Sequence, residues 1–295
     1  MKDLLIALAA VLPALVVVGY IVFRDKNKRE PISQVWKGVR YGVGSALVAI
    51  AFATPFSALA EILPVLDYAE TFWGAIYGAF FVAAIPEELA KLLMLYLLLN
   101  KNPYFDERMD GIVYAVAVGM GFAGFENVLY LLENEETWEM VGAIRALFSV
   151  PGHFCYAVFM GYYYSLAHFD KKNQHGLNLF LMVAVPIVLH GTFDFLLMSL
   201  PHLHPALIIM AVMAFLGLCI GMNIIAHIKM RHHLKADEIM MAEAEVAASE
   251  SPESSESPES SECSENSEDS ENSESSESSQ LIETDKAKDE QTVVL

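Results

Sequence analysis

Glu87 and Glu88 stand side by side in the segment AAIPEELAKLLMLYLLL, residues 83–99, with Lys91 one turn further on and almost nothing else polar around them. Three more apolar segments carry ionisable residues of the same kinds. Glu126 lies in GMGFAGFENVLY, His153 in PGHFCYAVFMG, and His190 with Asp194 in HGTFD. Carboxylates and imidazoles are the groups that take protons from water and return them to leaving groups. The same types also ligate divalent metals. Spacing adds detail. On a helix, Lys91 is four residues from Glu87 and three from Glu88, so its ammonium reaches either carboxylate. His190 and Asp194 are also four apart, which lets the carboxylate orient the imidazole and fix its tautomer. Pro86 removes a backbone donor just ahead of the pair and is expected to kink the helix there.

These residues need elements long enough to hold them. Apolar runs at about 3–23, 38–60, 71–99, 111–132, 141–168, 178–200 and 205–228 each approach or exceed the roughly 20 helical residues that cross a bilayer. The chain is 55% hydrophobic, with a mean hydropathy of +0.39. No alternating pattern suggests a barrel. The expected fold is all-α: a polytopic bundle of about seven transmembrane helices. The first run is followed by RDKNKRE, which reads as a stop-transfer signal and makes the run a retained anchor.

Basic residues set the expected orientation. Thirteen lie by alternate connections: Arg24, Lys26, Lys28, Arg29, Lys37, Arg40, Lys101, Arg108, Lys171, Lys172, Lys229, Arg231 and Lys235. Only Lys2 and Arg145 lie near the other side. This positive-inside bias puts the N-terminus outside the cell membrane and the C-terminus in the cytoplasm.

An intramembrane charge costs about 2.5–3.5 kcal/mol on insertion scales, so such residues mark function by default. Those in spans three to six are expected to share one polar cavity. From the 1.5 Å rise per residue, that cavity lies between the midplane and the outer surface. Gly119, Gly121 and Gly124 remove bulk beside Glu126 and permit close helix approach.

Net charge divides unevenly. Residues 236–295 hold 19 of the 37 acidic residues and two lysines, giving −17 there and −2 over residues 1–235. That division gives a membrane domain at 1–235 and a Ser/Glu-rich cytoplasmic tail at 236–295. The tail has no apolar periodicity and is expected to be disordered. It is either a solvated appendage or a contact for a basic partner. Its sign argues against nucleic acid. The three cysteines include no extracytoplasmic pair, so no disulfide framework is implied. No His-Glu-x-x-His occurs, which excludes that class of zinc protease.

EELAK, FAGFEN, PGHFCYAVFMG and HGTFD, in this order on successive spans, resemble the motifs of the PrsW family of intramembrane proteases. The opening LPALVVVGYIVFRDKNKREP is similar to that family's first span and exit. The resemblance covers roughly 1–228. The family is related to the CAAX prenyl-proteases, from whose pattern this chain differs. Lys91 comes one residue earlier than their Arg, and Glu126 stands where they have His. The resemblance implies site-1 cleavage of a single-span membrane protein, with an anti-sigma factor as the substrate class. The expected roles are Glu87 as base for water, Glu88 paired with Lys91, and His153 and His190 orienting water or an oxyanion. Glu126 would assist, Asn127 would support the site as an alternative oxyanion donor, and Asp194 would orient His190. No cofactor is expected in this scheme.

Two other classes fit the same residues. Glu126, His153, His190 and one glutamate of the pair could bind a divalent metal, in a metal-dependent hydrolase or a transporter. A transporter should show an internal repeat, and none is visible between the halves. A proton-linked membrane sensor without catalysis is the third reading.

Overall fold

The computed structural model describes residues 2–25, 28–67, 69–170 and 174–250. Every regular element among them is helical. Six helices are long and apolar enough to cross a membrane: α1 (Lys2–Arg24), α2 (Ile32–Ile62), α5 (Arg108–Glu133), the run Trp138–Phe169, α8 (His175–Met198) and α9 (Pro205–Glu250). The chain is a multi-pass membrane protein. The seventh expected run, 71–99, is helical from Phe72 to Leu99 but is not one regular helix. It comprises α3 (Phe72–Tyr77), a π-helical stretch (Gly78–Ala84) and α4 (Ile85–Leu99). Trp138–Phe169 is built in the same way, from α6 (Trp138–Ile144), a π-helical stretch (Arg145–Ser149) and α7 (Val150–Phe169).

Local chemistry accounts for several helix ends. Thr71 caps α3 by accepting from the Gly74 N–H at 2.8 Å. Glu107 and Asp110 form a reciprocal capping box at the start of α5. Asp237 of α9 adds to it by accepting from the Arg108 and Met109 N–H groups at 3.0 and 2.9 Å.

α5 is the axis of the bundle, buried almost continuously from Met109 to Gly124. It packs against α1, α2 and α7. Close approach depends on glycine. A Cβ on Gly42 would stand 2.0 Å from the Val118 carbonyl oxygen, and one on Gly121 would stand 2.1 Å from that of Val39. Backbone therefore lies on backbone where α2 crosses α5, and no side chain can be admitted. At Gly124, by contrast, a Cβ would meet only an ordinary contact at 3.7 Å, so of these two glycines it is Gly121 that the crossing needs.

Lipid-facing character is plain on α1 and α9, where Leu4, Val16, Ile209, Met210 and Ile220 are exposed. α9 continues past residue 235 to Glu250. The stretch ADEIMMAEAEVAASE, grouped with the tail by its charge, is rich in strong helix formers and extends the last helix. The remainder of the Ser/Glu-rich tail, with its expected disorder, lies outside the described residues.

Candidate active site

Four helices carry the ionisable residues, and three of them have a proline just upstream. Pro86 precedes Glu87, Pro151 lies two residues before His153, and Pro186 four before His190. In the first two cases the preceding turn is widened. The Ile85 N–H bonds to Phe80 and the Val150 N–H to Arg145, five residues back in both. A proline in a regular helix clashes with the carbonyl four residues earlier; a π turn opens that space. The expected kink at Pro86 is thus expressed as a π-helical stretch. One extra residue per turn also rotates everything downstream by about 100° relative to an unbroken helix. That rotation sets the directions in which Glu87 and His153 point.

The side chains meet in a cavity of about 420 Å³, whose lining includes Glu87, Glu126, His153, His190 and Asp194. Glu88 and Lys91 lie directly behind its wall, 2% and 3% exposed. Lys91 Nζ donates to Glu88 Oε1 at 2.7 Å and to Glu87 Oε2 at 3.3 Å. It also lies 3.1 Å from His153 Nδ1 and 4.0 Å from the centre of the Phe122 ring. An ammonium has only donors, so His153 Nδ1 accepts, and the His153 proton sits on Nε2. From there it is donated to Glu126 Oε2 at 2.9 Å.

His190 is held between carboxylates. Its Nδ1 is 2.9 Å from Glu88 Oε1, and its Nε2 is 3.3 Å from Asp194 Oδ2 and 3.8 Å from Glu87 Oε2. The i, i+4 pairing of His190 with Asp194 is therefore present. Glu88 is tied down by Lys91 and His190 together, and its other oxygen, Oε2, has no partner among the described residues. Glu87 is held only by the longer contacts and is 15% exposed at its side chain, against 1% for Glu88.

Two residues have places that sequence spacing did not reveal. Arg145, in the second π-helical stretch, donates to Glu126 Oε2 at 2.7 Å and to Asn127 Oδ1 at 2.6 Å. Its guanidinium lies 4.0 Å from the centre of the Tyr130 ring. The available signal was its being the one Lys or Arg between Arg108 and Lys171 in the sequence. Asn127 in turn donates to the Ala10 carbonyl at 3.0 Å. Its amide is committed to α1 and Arg145, so it braces the site rather than facing the cavity. The second is Tyr156, one turn after His153 on the same face of α7, which also lines the cavity.

The donor set suits a divalent cation. One oxygen each of Glu87 and Glu126 and a nitrogen of His153 all lie within 4.8 Å of one another, as do atoms of Glu87, Glu88 and His190. Among the described residues, four carboxylates face only Lys91 and Arg145 as fixed cations, which leaves an excess of negative charge. Glu88, whose Oε2 is unpartnered, belongs to the second group. Oxygen and imidazole donors of this kind are usual for first-row divalent ions.

A second, smaller cavity of about 130 Å³ opens on the other side of Glu87 and Glu126, against Ala46, Ala49 and Ala53 of α2. The two glutamates thus form a partition between the two spaces.

Comparison with known proteins gives these residues a context. The family model described as PrsW family intramembrane metalloprotease matches residues 30–220, which contain every site residue named above. Proteins named Protease PrsW are similar over most of their length. That of Clostridioides difficile (strain 630) is 36% identical over 193 residues, covering 65% of this chain and 78% of the relative. That of Geobacillus kaustophilus (strain HTA426) is 34% identical over 191 residues, covering 65% and 79%. That of Bacillus subtilis (strain 168) is 31% identical over 194 residues, covering 66% and 83%. No solved structure matches the chain. A match over more than half of the chain, enclosing the whole polar cavity, makes this membrane peptidase a member of the PrsW family of intramembrane metalloproteases.

Proposed function

We propose that the chain hydrolyses a peptide bond of a single-span membrane protein in the larger cavity, with Glu87 taking the proton from the attacking water. The observation that carries this reading is the difference between the paired glutamates. Glu88 is fixed by Lys91 and His190, while Glu87 borders both cavities and is the more exposed. A carboxylate within reach of water, held by weak contacts, is what a general base requires. Glu126 and Arg145 stand across the cavity, and His153 Nε2–H donates toward that side. Asp194 holds the His190 ring, whose Nε2 faces Glu87 and can pass a proton onward to the leaving amine.

When bound by Glu87, Glu126 and His153, a divalent cation would supply Lewis acidity, polarising a carbonyl oxygen and making water more acidic. Glu87 keeps a second oxygen for the proton in that case. The cavity is lined by the last turn of α8 (Leu197, Met198) and by Arg145 and Phe148. By the distribution of basic residues, that end of the bundle is the extracytoplasmic one. Cleavage on that side, in a substrate of the anti-sigma-factor kind, is the reading that the motif resemblance favours.

The test is co-expression of the full chain with candidate single-span substrates. Wild type should release a cut product and Glu87→Gln should not, with equal amounts of folded protein in the membrane. The amide keeps the shape of the side chain but cannot accept water's proton. Equal cleavage by both would remove Glu87 from the mechanism. Metal content of the purified protein, and activity after chelation and after adding metal back, decide whether the cation takes part.

A further inference from the structure

We propose that the Tyr156 hydroxyl is a further catalytic group, donating a hydrogen bond to the substrate carbonyl oxygen as it becomes an oxyanion. This deepens the hydrolytic reading above and rests on it.

The ring is fixed on several sides. It stacks on His190 at 4.9 Å between centroids with planes 15° apart, meets His153 edge-on at 5.8 Å, and meets Phe193 edge-on at 6.5 Å. Its hydroxyl extends over Gly152, where a Cβ would come within 3.1 Å of the phenolic oxygen. The residue is 2% exposed and lines the cavity together with Glu87, Glu126, His153 and His190. Yet the hydroxyl has no hydrogen-bond partner among the described residues.

Burying an unbonded hydroxyl costs free energy that phenylalanine would not incur. Packing alone therefore explains the ring but not its oxygen. The neighbouring groups explain it better. Glu87, Glu88, Glu126 and Asp194 are acceptors, and Lys91, Arg145 and both histidines are already engaged with them. The cavity holds abundant groups to accept a proton but few uncommitted donors. A tetrahedral intermediate needs a donor aimed at its oxygen, kept in place before the charge develops. A phenol, which titrates at about 10 in water, stays protonated at neutral pH and can serve as one. In the chemical step, water's oxygen bonds to the carbonyl carbon, the carbonyl π pair moves onto oxygen, and water's proton goes to Glu87. The Tyr156 O–H donates to that oxygen throughout without transferring its proton. Collapse then re-forms the carbonyl π bond and breaks the C–N bond, and the amine leaves with the proton that Glu87 took, passed on through His190 Nε2.

The experiment compares wild type, Tyr156→Phe and Glu87→Gln as full chains in lipid, with one cleavable single-span substrate. Removing one oxyanion donor typically lowers kcat by about 100- to 1,000-fold. Tyr156→Phe is expected to show such a loss with KM little changed and with thermal unfolding unchanged or raised, since the stacked ring remains. Wild-type kcat in Tyr156→Phe, or a raised KM with kcat intact, overturns the proposal. If Glu87→Gln cleaves as well as wild type, the general-base reading fails, while the Tyr156→Phe comparison still decides the donor. If wild type cuts no substrate offered, binding of a peptide phosphinate, a tetrahedral mimic, decides instead. Weakening of tenfold or more in Tyr156→Phe supports the donor role, and equal affinity overturns it.

Discussion

Lys91 is the residue on which the others converge: two glutamates, an imidazole nitrogen and the face of Phe122 all lie within about 4 Å of its ammonium. Such a buried hub is defined more by what its removal exposes than by the attraction it adds, because breaking one partner leaves the rest uncompensated. Lys91→Met is expected to cost about 3–5 kcal/mol of stability, the usual penalty for orphaning a buried charge. Adding Glu88→Gln should recover part of that loss, so the double variant should be more stable than the sum of the single effects predicts. Thermal unfolding of the four proteins in one detergent measures the cycle. A neutral Lys91→Met would show that the pair is not the constraint it looks to be. At this scale much was legible beforehand. Glu87, Glu126, His153, His190 and Asp194 could be collected because ionisable residues are so rare in apolar runs, and they meet at one cavity. Asn127 and Arg145 could not be placed in the same way. Asn127 carries no charge to betray its direction, and Arg145 sits where a long side chain could equally have reached the interface.

At the level of elements, the seven apolar runs were visible from composition, because spanning length and loop charge are properties of whole segments. The π-helical stretches were not. Nothing in GAFFVAA or RALFS distinguishes them from ordinary helix formers. They arise from a downstream proline together with neighbours that hold the widened turn, such as Gly191 of α8, where a Cβ would fall 2.4 Å from the Phe80 ring. The consequence is a change of register that aims Glu87 and His153. Pro86→Ala restores an N–H that can bond to Val82 in a regular turn, which would rotate Glu87 by about 100° away from its present direction. Pro86→Ala is therefore expected to lower cleavage sharply while leaving thermal stability equal or higher. Wild-type activity in that variant would show that packing, not the proline, maintains the wide turn. The same logic applies to Pro151 and His153.

On the scale of the whole molecule, the bundle has a second polar assembly at the end of α5 opposite Glu126, where the first connection and α9 meet. Asp25 and Glu30 of the first connection, with Lys28 and Arg29 beside them, face Asp106, Glu107 and Asp110 at the start of α5 and Asp237 of α9. Glu30 accepts from the Tyr114 hydroxyl, and Lys28 pairs with Asp106. Both Asp25 carboxylate oxygens and Glu107 Oε2 are buried without partners among the described residues. Burial, then the charge of Glu30, pushes the Asp25 carboxyl up to about 6. Burial, then Asp237 and Asp25, pushes Glu107 up to about 7. Burial likewise raises Glu30. A carboxyl raised in the folded state binds its proton more tightly there than in the unfolded chain. Its stabilising contribution is therefore complete below the ordinary carboxylate range, near pH 4, and is lost as pH rises through about 6 to 7. The protein in detergent should thus unfold at a lower temperature at pH 8 than at pH 5. Asp25→Asn, which keeps the shape and removes the charge, should raise the unfolding temperature more at pH 8 than at pH 5 and flatten the profile. Wild-type stability that is level from pH 5 to 8, or an Asn variant with the same slope as wild type, would mean that the cluster is neutralised some other way, with a bound cation the first candidate to examine.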